Sequence, residues 1–455
     1  MNIFPIILAA GQGTRMRSAL PKVLHSIAGK PMLQHVIDAC QLTGCVRMAV
    51  VYGHGGEQVC EAVQGENIHW AQQAEQKGTG HAVAQAIDLA ADDDIVLIAY
   101  GDVPLIRPAT LQRLAEGLQG NTLVVLTTKL EQPFGYGRIV RDQQGAVQAI
   151  VEEKDADEQI RVIQEVNTGF IAARGADLKR WLQQLTPQNA QGEYYLTDCV
   201  GLAVAEGGVV STVVCADPLE VEGVNNRVQL ARLEREAQRR QVEALMLEGV
   251  TVADPARLDI RGNVSTGQDV FIDINVVLQG EVTLGNHVII EPNCVLNNVS
   301  VGDGSHIKAN THIEEAVIAE NCDIGPFARI RPGTLLADGA KIGNFVETKK
   351  ALIGKGSKVN HLSYVGDTEM GADVNIGAGT ITCNYDGANK FKTTIGDRVF
   401  VGSGTQLVAP VTVNDDATIG AGSTISKTAP AGQLTLTRAK QVTIKGWKRP
   451  VKEKK

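Results

Sequence analysis

The sequence predicts two fold classes in one chain, α/β in the first half and all-β in the second, joined by a long helix. Three observations lead to this prediction. Short apolar runs alternate with helical patterns in the first half. The stretch that follows Asn226 is rich in Arg, Glu, Leu and Ala, with no Gly or Pro before Gly249. From about Val264, aliphatic residues recur at every sixth position.

The first half reads as a Rossmann-like domain with a largely parallel sheet. Ligands of such sheets bind beyond the carboxyl ends of the strands, so the loops at 11–17, 53–56 and 101–104 are the candidate site. The predicted strands are Ile6–Ala9, Met48–Tyr52, Ile95–Tyr100 and Leu123–Thr127, and the predicted helices include Pro31–Cys40 and Thr110–Gly117.

The period of six in the second half predicts a parallel β-helix, in which three hexads form one triangular coil of about 18 residues. The stretch between Ile376 and Ile395 is too long for one or two hexads, and predicts a loop that projects from one face. The inward positions are predicted at Val264, Val270, Val276, Val282, Val288, Cys294, Ile353, Val359, Val365, Ile395, Val401, Leu407, Val413, Ile419 and Ile425.

Composition limits the function classes. The 455 residues are 44% hydrophobic and 21% charged with a net charge of −8, which describes a globular protein and disfavours nucleic acid as a partner. The eight cysteines are scattered without a C-x-x-C pair, which predicts reduced thiols. The N-terminal sequence has neither a signal peptide nor a membrane span, so we predict a cytoplasmic protein. The short basic tail from Trp447 is most simply solvated.

The first glycine-rich loop, LAAGQGTRMRSALPK at 8–22, only half matches a dinucleotide-binding turn, because Met16 replaces the third glycine. Gly11 and Gly13 would let backbone N–H groups approach phosphates, and nearby Arg15 and Lys22 would neutralise them. An ordinary glycine-rich turn with surface cations is the alternative. Asp102 in YGDVPL follows an apolar strand directly, and in isolation a carboxylate at this position is most simply a helix cap.

Taken together, the motifs of the two halves resemble one family over essentially the full length. They are LAAGQGTRM, QAEQKGTGHA, YGDVPL, GYGRI, EVNTG, EGVNNR, RPGT, NFVETKK, NHLSYVGD and NIGAGTITCNYDGANK, in this order. The chain is similar to the GlmU family, bacterial bifunctional enzymes that join an N-acetylglucosamine-1-phosphate uridyltransferase to a glucosamine-1-phosphate acetyltransferase. The resemblance implies a nucleotide-diphospho-sugar transferase domain at 1–227, a linker helix at 228–248 and a left-handed parallel β-helix acetyltransferase domain at 249–455.

For the first domain the resemblance implies uridylyl transfer from UTP to N-acetylglucosamine-1-phosphate, with release of pyrophosphate. Arg15 and Lys22 would be catalytic, and Asp102 and Asn225 would ligate Mg²⁺. The implied substrate contacts are Leu8, Ala9, Ala10, Gly11, Lys22, Gln73, Gly78, Thr79, Tyr100, Gly101, Asp102, Gly137, Glu152, Asn167 and Asn225. Among them, Gln73, Gly78 and Thr79 resemble the uracil-binding segment of the family, and Gly137, Glu152 and Asn167 resemble the residues that hold the sugar.

For the second domain the resemblance implies acetyl transfer from acetyl-CoA to glucosamine-1-phosphate. His361 lies two residues past the inward Val359 and would be the general base, the alternative being a surface imidazole with no role. The implied sugar-phosphate contacts are Arg331, Lys349, Tyr364, Asn375 and Lys390, and the implied acetyl-CoA contacts are Ala378, Asn384, Tyr385, Ser403, Ala421 and Arg438.

The partners implied are these small molecules and two further copies of the chain, because family members form homotrimers; in the family the C-terminal segment helps to close the acetyl-CoA site. Two other readings of the second half remain open: a regulatory, non-catalytic β-helix on a sugar-1-phosphate nucleotidyltransferase, and a pure trimerisation platform. A metal site at His306 and His312 is a weaker alternative, because residues six apart lie on different faces of a coil.

Overall fold

A computed structural model describes residues 2–53 and 55–452, so Met1, His54 and residues 453–455, which the predicted domain ranges include, lie outside the description. The chain divides into two compact units, Met1–Gln238 and Arg239–Lys455. The boundary falls inside one helix, Arg227–Leu247. Its first part packs Leu233 and Ala237 into an apolar cluster of the first unit. Its second part belongs to the core of the second unit.

The first unit is an α/β fold. Its strands are β1 (Ile3–Ala9), β2 (Ser26–Ile27), β3 (Lys30–Pro31), β4 (Met48–Tyr52), β5 (Ile68–Gln72), β6 (Ile95–Tyr100), β7 (Leu123–Lys129), β8 (Arg138–Arg141), β9 (Val147–Val151), β10 (Glu165–Arg174) and β11 (Val210–Val214). Its α-helices are α1 (Met32–Gln41), α2 (Gly56–Ala62), α3 (Thr79–Ala84), α4 (Pro108–Glu116), α5 (Glu158–Arg161), α6 (Gly175–Leu182), α7 (Asp198–Ala205) and the shared α8 (Arg227–Leu247). One-turn 3₁₀ helices include Thr14–Met16 and Lys22–Leu24.

The main sheet has the strand order β11-β7-β10-β6-β1-β4-β5. Strand β1 is parallel to β4 and β6, whereas β10 is antiparallel to its neighbours. Alternate residues of β1 pack on opposite faces, Ile6 into one apolar cluster and Ile7 into another, so both faces of the sheet are covered. The predicted largely parallel sheet is confirmed, as are the bounds of β4 and β6.

The carboxyl ends of β1, β4 and β6 meet at one edge of this sheet. Their loops approach each other closely: a Cβ on Gly53 would lie 2.6 Å from the carbonyl oxygen of Ala10. Only glycine fits at this position, because the backbone oxygen could not move aside without moving the β1 loop. The backbone of Gly101, after β6, donates to the carbonyl of Leu8 in β1 at 2.9 Å, so the loops that follow β4 and β6 both lie against the end of β1.

The second unit is a solenoid of parallel strands. Its inner-facing residues form one continuous apolar core from Val242 to Ala429. The strands are β12 (Thr251–Val252), β13 (Leu258–Thr266), β14 (Phe271–Ile272), β15 (Val276–Leu284), β16 (Ile289–Ile290), β17 (Val295–Val301), β18 (His306–Ile307), β19 (His312–Ile318), β20 (Asp323–Ile324), β21 (Arg329–Ile330), β22 (Thr334–Leu336), β23 (Lys341–Asn344), β24 (Glu347–Ile353), β25 (Lys358–His361), β26 (Tyr364–Met370), β27 (Asn375–Ile376), β28 (Ile381–Cys383), β29 (Thr393–Ile395), β30 (Phe400–Val401), β31 (Gln406–Val408), β32 (Val411–Val413), β33 (Thr418–Ile419), β34 (Thr424–Ile425) and β35 (Leu434–Thr435).

Parallel stacking of successive coils fits the predicted left-handed β-helix of hexapeptide repeats, and every predicted inward position is buried except Val264, which is half-buried. The register also explains why the sixfold period breaks after Cys294. Val264 pairs with Val282, 18 positions on, but Val282 pairs with Val299, only 17 positions on. The shortened corner is formed by Asn298 at φ 53°, a conformation that Asn tolerates well.

The predicted loop is an insertion at one corner. Tyr364 pairs with Ile381, 17 positions on, whereas Thr368 pairs with Thr393, 25 positions on, so the extra residues lie between Cys383 and Thr393. They form a small hairpin closed by an antiparallel bridge between Tyr385 and Lys390. The carboxylate of Asp386 accepts hydrogen bonds from the backbone of Ala388 (2.8 Å) and Asn389 (2.7 Å), which stabilises the turn.

Candidate active sites

A cavity of about 340 Å³ lies at the carboxyl-end edge of the first unit's sheet. The predicted nucleotide residues that line it are Leu8, Ala9, Ala10, Gly11, Lys22, Gln73, Gly78, Thr79, Tyr100 and Asp102. The predicted residues that do not line this cavity are Arg15, Gly101, Gly137, Glu152, Asn167 and Asn225. Residues from loops that are distant in sequence therefore meet at the place where ligands of parallel α/β sheets bind.

The glycine-rich loop differs from a dinucleotide-binding turn in a physically clear way. Gly13 is left-handed at φ 60°, and a Cβ there would lie 2.6 Å from the Cβ of Lys22, so glycine lets the lysine stem pass. Met16, at the position of the missing third glycine, is 2% exposed and packs with Leu233 and Ala237. The loop is thus anchored by an apolar side chain instead of by close helix–strand packing.

Two cations converge on one carboxylate and one amide. The Lys22 ammonium donates to the Asp102 carboxylate and lies 3.4 Å from Oδ1 of Asn225. Arg15 donates to the same Asn225 oxygen at 2.9 Å. A backbone hydrogen bond of 2.9 Å from Val224 to the Asp102 carbonyl brings the two oxygen-bearing side chains together. Asp102 and Asn225, which are 123 positions apart in the sequence, therefore belong to one site.

The residues at this point fit a hard cation. Asp102 and Asn225 already direct two side-chain oxygens at one positive group, the ammonium of Lys22. The alternative role of Asp102 as a helix cap is wrong, because α4 begins at Pro108 and its N-cap residue is Arg107. Within residues 2–53 and 55–452, no group of three or more His, Cys, Asp or Glu residues is placed to hold a metal ion.

Partly buried hydrogen bonds organise the predicted uracil segment. The amide nitrogen of Gln73 lies 3.2 Å from the carbonyl oxygen of Gly78 and 3.1 Å from Nδ1 of His81. Gly78 adopts φ 105°, and a Cβ there would lie 2.6 Å from the carbonyl oxygen of Tyr194. Thr79 accepts a hydrogen bond from the backbone of Leu196 at 3.1 Å. The bond from Leu196 to Thr79, with backbone bonds between Tyr194 and both Lys77 and Gly80, attaches the segment to the loop at 193–196.

The three predicted sugar contacts are neighbours. The backbone of Asn167 donates to the carbonyl of Gly137 at 2.9 Å, and a Cβ on Gly137 would lie 3.3 Å from both carboxylate oxygens of Glu152. Glu152 accepts a hydrogen bond of 3.1 Å from Thr197. Burial raises the pKa of the Glu152 carboxyl, and the nearby acidic groups raise it further. The arrangement offers one carboxyl and one amide for recognising hydroxyl groups.

In the second unit, His361 and Asn344 are paired across adjacent coils. Nδ1 of the His361 imidazole lies 2.9 Å from Oδ1 of Asn344. An amide oxygen only accepts, so this contact places the imidazole proton on Nδ1 and leaves the Nε2 lone pair free. The side chain of His361 is exposed, as its position two residues past the inward Val359 predicted.

Three of the predicted sugar-phosphate residues are cations that lie near one another. The Lys390 ammonium, followed by the charge of Arg331, holds the pKa of Lys349 below its usual value. Arg331 also pairs with Glu347 at 2.6 Å. Positive groups held this close repel one another unless an anion lies between them, so the cluster is suited to a phosphate group.

The remaining predicted contacts lie along neighbouring coils. The amide of Asn384 lies 3.4 Å from the hydroxyl of Tyr364 and 2.5 Å from the carboxylate of Asp367. Asn375 lies in β27 beside β25, the strand of His361, and Tyr385 is exposed in the hairpin.

The other residues predicted to contact acetyl-CoA lie at corners of the solenoid that stack on one another. The carbonyl of Ala378 accepts from the backbone of Gly404 at 2.7 Å, and the carbonyl of Ser403 accepts from Gly422 at 2.8 Å. Ala378, Ser403 and Ala421 therefore occupy equivalent corners of successive coils. A Cβ on Gly420 would lie 3.8 Å from the Arg438 guanidinium, which places that cation beside the last corner.

Sequence reasoning missed three residues at these sites. Asn344 stands in the quoted NFVETKK motif, but its contact depends on coil register. Gln76 stands in QAEQKGTGHA, lines the first cavity and donates its amide to the carbonyl of Ala10. Glu193 also lines the cavity, and no spacing or motif singled it out.

The weaker metal alternative is not supported by the described residues. His306 bonds to Glu291 at 2.7 Å in one sheet of the solenoid, whereas His312 lies exposed in another. All eight cysteines are free thiols. None of the helices in the described ranges has both the length and the apolar character needed to cross a membrane.

Fold and site together define a two-domain transferase, with a nucleotide-binding α/β domain and a hexapeptide-repeat domain. Family models agree: residues 5–166 match the MobA-like NTP transferase domain, residues 260–353 the GMPPB C-terminal domain, and residues 392–427 the bacterial transferase hexapeptide repeats. A solved UDP-glucose pyrophosphorylase complexed with UDP-glucose matches 53% of this chain and 100% of its own, at 16% identity and a TM-score of 0.44. That similarity is too low to inform function.

The chain is 56% identical over 447 residues to the bifunctional protein GlmU of Marinobacter nauticus, which covers 98% of each chain. The chain therefore belongs to the GlmU family. It is a bifunctional transferase, with a nucleotidyltransferase and an acyltransferase that together synthesise UDP-N-acetylglucosamine, as the motif resemblance implied.

Proposed function

We propose that the cavity of the first unit binds UTP and performs uridylyl transfer to N-acetylglucosamine-1-phosphate. The observation that supports this most directly is the convergence of Lys22 and Arg15 on Asp102 and Asn225 beside a glycine-lined cavity. The phosphate of the sugar attacks the α-phosphorus of UTP in line, and pyrophosphate leaves. Because no covalent step on the protein is needed, catalysis consists of positioning and neutralisation of charge.

Each group of residues has a proposed task in that transfer. Gln73, Gly78 and Thr79 hold the uracil, and Gly11 lets backbone N–H groups approach the phosphates. Arg15 and Lys22 neutralise the leaving pyrophosphate. Gly137, Glu152 and Asn167 hold the sugar, and Leu8, Ala9, Ala10, Tyr100 and Gly101 form the walls. Asp102 and Asn225 would hold Mg²⁺, which supplies further positive charge at the phosphates.

We further propose that the second unit acetylates glucosamine-1-phosphate and that this step precedes uridylyl transfer. The free Nε2 of His361 removes a proton from the amine, whose nitrogen attacks the thioester carbonyl of acetyl-CoA. The C–S bond then breaks, and the CoA thiolate takes the proton from the His361 imidazolium and leaves as the thiol. Arg331, Lys349 and Lys390 hold the sugar phosphate with Tyr364 and Asn375, and the contacts for acetyl-CoA are Ala378, Asn384, Tyr385, Ser403, Ala421 and Arg438.

We also propose a cytoplasmic homotrimer. Support for the trimer comes from the hexapeptide β-helix, which family members use for trimerisation, and support for the location comes from the eight free thiols. Size measurement by light scattering at catalytic concentration tests the trimer. A monomer with full acetyl transfer would refute it.

The test of function is release of CoA thiol from acetyl-CoA with glucosamine-1-phosphate and without UTP. Release that depends on the sugar phosphate supports the second active site. A protein that forms pyrophosphate from UTP, Mg²⁺ and N-acetylglucosamine-1-phosphate but releases no thiol would be a nucleotidyltransferase with a regulatory β-helix.

A further inference from the structure

The segment 14–28 carries both proposed catalytic cations on very short elements. Arg15 lies in the one-turn helix Thr14–Met16, and Lys22 begins the one-turn helix Lys22–Leu24. The first turn is flanked by left-handed residues, Gly13 at φ 60° and Arg17 at φ 49°. A single 3₁₀ turn is only weakly stable by itself. The separation of the two cations therefore depends on contacts with other parts of the first unit.

Arg227, the first residue of α8, contacts both turns. Its Nε donates to the carbonyl of Met16 at 3.3 Å, next to Arg15. Its Nη1 lies 3.4 Å from Nδ1 of His25, the residue that ends the turn of Lys22. Because a guanidinium only donates, Nδ1 of His25 is the acceptor and its imidazole is neutral. Burial and the charge of Arg227 lower the pKa of His25, which agrees with that state.

The same helix supports the segment further along. The carboxylate of Glu234 accepts from the backbone of Ala28 at 2.7 Å, and Ala28 adopts the left-handed φ of 49°. Gln238 donates to the other oxygen of Glu234 at 2.8 Å, which orients the carboxylate. Met16 and Ile27 pack in the apolar cluster to which this part of α8 contributes. The segment is therefore held at its start, its middle and its end by one rigid element.

Arg227 also lies close in sequence to Asn225, the residue that the two cations contact. Asn225 lies two residues before it and accepts from Arg15 at 2.9 Å, while the backbone of Asn225 donates to Gln229 of the same helix at 2.8 Å. The start of α8 thus holds both the amide and the two cations that meet it.

We infer that Arg227 is a positioning residue for uridylyl transfer, which holds Arg15 and Lys22 at the spacing required around Asp102 and Asn225. Arg227 itself touches no substrate in this assignment. The inference rests on the proposed function of the first unit. It predicts that loss of Arg227 weakens neutralisation of the leaving pyrophosphate, and so lowers kcat more than it raises KM for UTP.

The test compares the wild type with R227Q, R227K, R15A and the double variant R15A/R227Q. Pyrophosphate release gives kcat and KM for UTP, and thiol release by the second unit of the same protein reports an intact fold there. The control R232Q removes a guanidinium from the same helix whose contact is with Glu222, 3.4 Å away. Thermal unfolding is followed for every variant.

We expect R227Q to lower kcat at least tenfold with KM for UTP changed less than threefold, and R227K to recover part of kcat. In the double variant the combined loss should fall well short of the product of the single losses, because Arg227 acts partly through Arg15. R232Q and thiol release should stay within twofold of wild type.

The inference is wrong if R227Q keeps kcat within twofold, or if its loss multiplies fully with that of R15A. If R227Q is poorly folded, R227K decides, and a well-folded R227K with unchanged kcat and KM refutes the inference. A normal kcat in R15A would overturn the proposed role of Arg15 as well. A reduced R15A with a normal R227Q would overturn only the role of Arg227.

Discussion

Replacing Asp102 by Asn tests the first active site most directly, because it removes one charge at nearly constant volume. The carboxylate is paired with the Lys22 ammonium, and their side chains are 18% and 11% exposed. A hydrogen bond to a charged group contributes about 1.5–3 kcal/mol, which corresponds to about 10- to 150-fold in a rate if the transition state alone benefits. In the proposed function Asp102 is also a ligand of Mg²⁺, and its loss in that role raises the expected fall in kcat to about 10²–10³-fold.

The effect on stability should be much smaller. An Asn oxygen still accepts from Lys22, and the pair is partly hydrated, so we expect a loss of about 1 kcal/mol in the free energy of unfolding. For a unit of this size that lowers Tm by about 2–4 °C. Pyrophosphate release and thiol release are measured on the same preparation. Acetyl transfer should be unchanged.

The matched control is Asp92→Asn, which removes a carboxylate from a more exposed pair with Lys179 at 2.8 Å. Surface pairs contribute about 0–1 kcal/mol, and this one lies away from the cavity, so neither activity should change. If Asp102→Asn kept kcat within threefold of wild type, or reduced both activities in parallel, the reasoning about this site would be refuted.

Three further predictions concern the same protein. His361→Ala should lower acetyl transfer by about 10²–10⁴-fold and leave uridylyl transfer unchanged. Asn344→Ala should cause a smaller loss of acetyl transfer, because it only frees the imidazole to rotate. Equal loss of both activities would contradict this prediction. Burial raises the pKa of Glu152 in the folded protein, so its charged form lowers the free energy of unfolding. Glu152→Gln should therefore raise Tm relative to wild type by an amount that grows as pH rises above about 4.5 and becomes constant above the raised pKa. Thermal scans at pH 4 and pH 8 check this, and a Tm below that of wild type at pH 8 would refute it. Gly53→Ala should lower both Tm and uridylyl transfer, since its Cβ would meet the Ala10 carbonyl at 2.6 Å, whereas Gly11→Ala, with no protein atom within 4 Å, should raise only KM for UTP.

The sheet of the first unit could be predicted because its strands are continuous apolar runs with both faces buried. The strands Met48–Tyr52 and Ile95–Tyr100 have the predicted bounds. The helix predicted over Pro31–Cys40 runs from Met32 to Gln41, because Pro31 is the N-cap residue and precedes the first turn. The other predicted bounds were less accurate: the first strand begins at Ile3 instead of Ile6, Leu123–Thr127 extends to Lys129, and the helix predicted at Thr110–Gly117 runs from Pro108 to Glu116.

The contacts between elements were less predictable. Asn344 and His361 lie 17 positions apart, yet the expected coil has 18 residues, so their pairing depends on a shortened corner that local patterns do not reveal. Arg227 meets Met16 across 211 positions, and no periodicity links them. The meeting of Lys22 with Asp102 was expected only through family resemblance, because loop conformation and not strand pattern brings them together.

The hairpin between Cys383 and Thr393 has a consequence for how such a protein can change. The chain leaves the solenoid after Cys383, and parallel pairing resumes at Thr393 in the same sheet. The strands of the coils above and below pair in the same way on both sides of the hairpin, so this corner can accept loops of other lengths. Because Asn384 and Tyr385 of this hairpin are proposed contacts of acetyl-CoA, exchange of this one short segment would change the preference for the acyl donor without changing the strands of the solenoid.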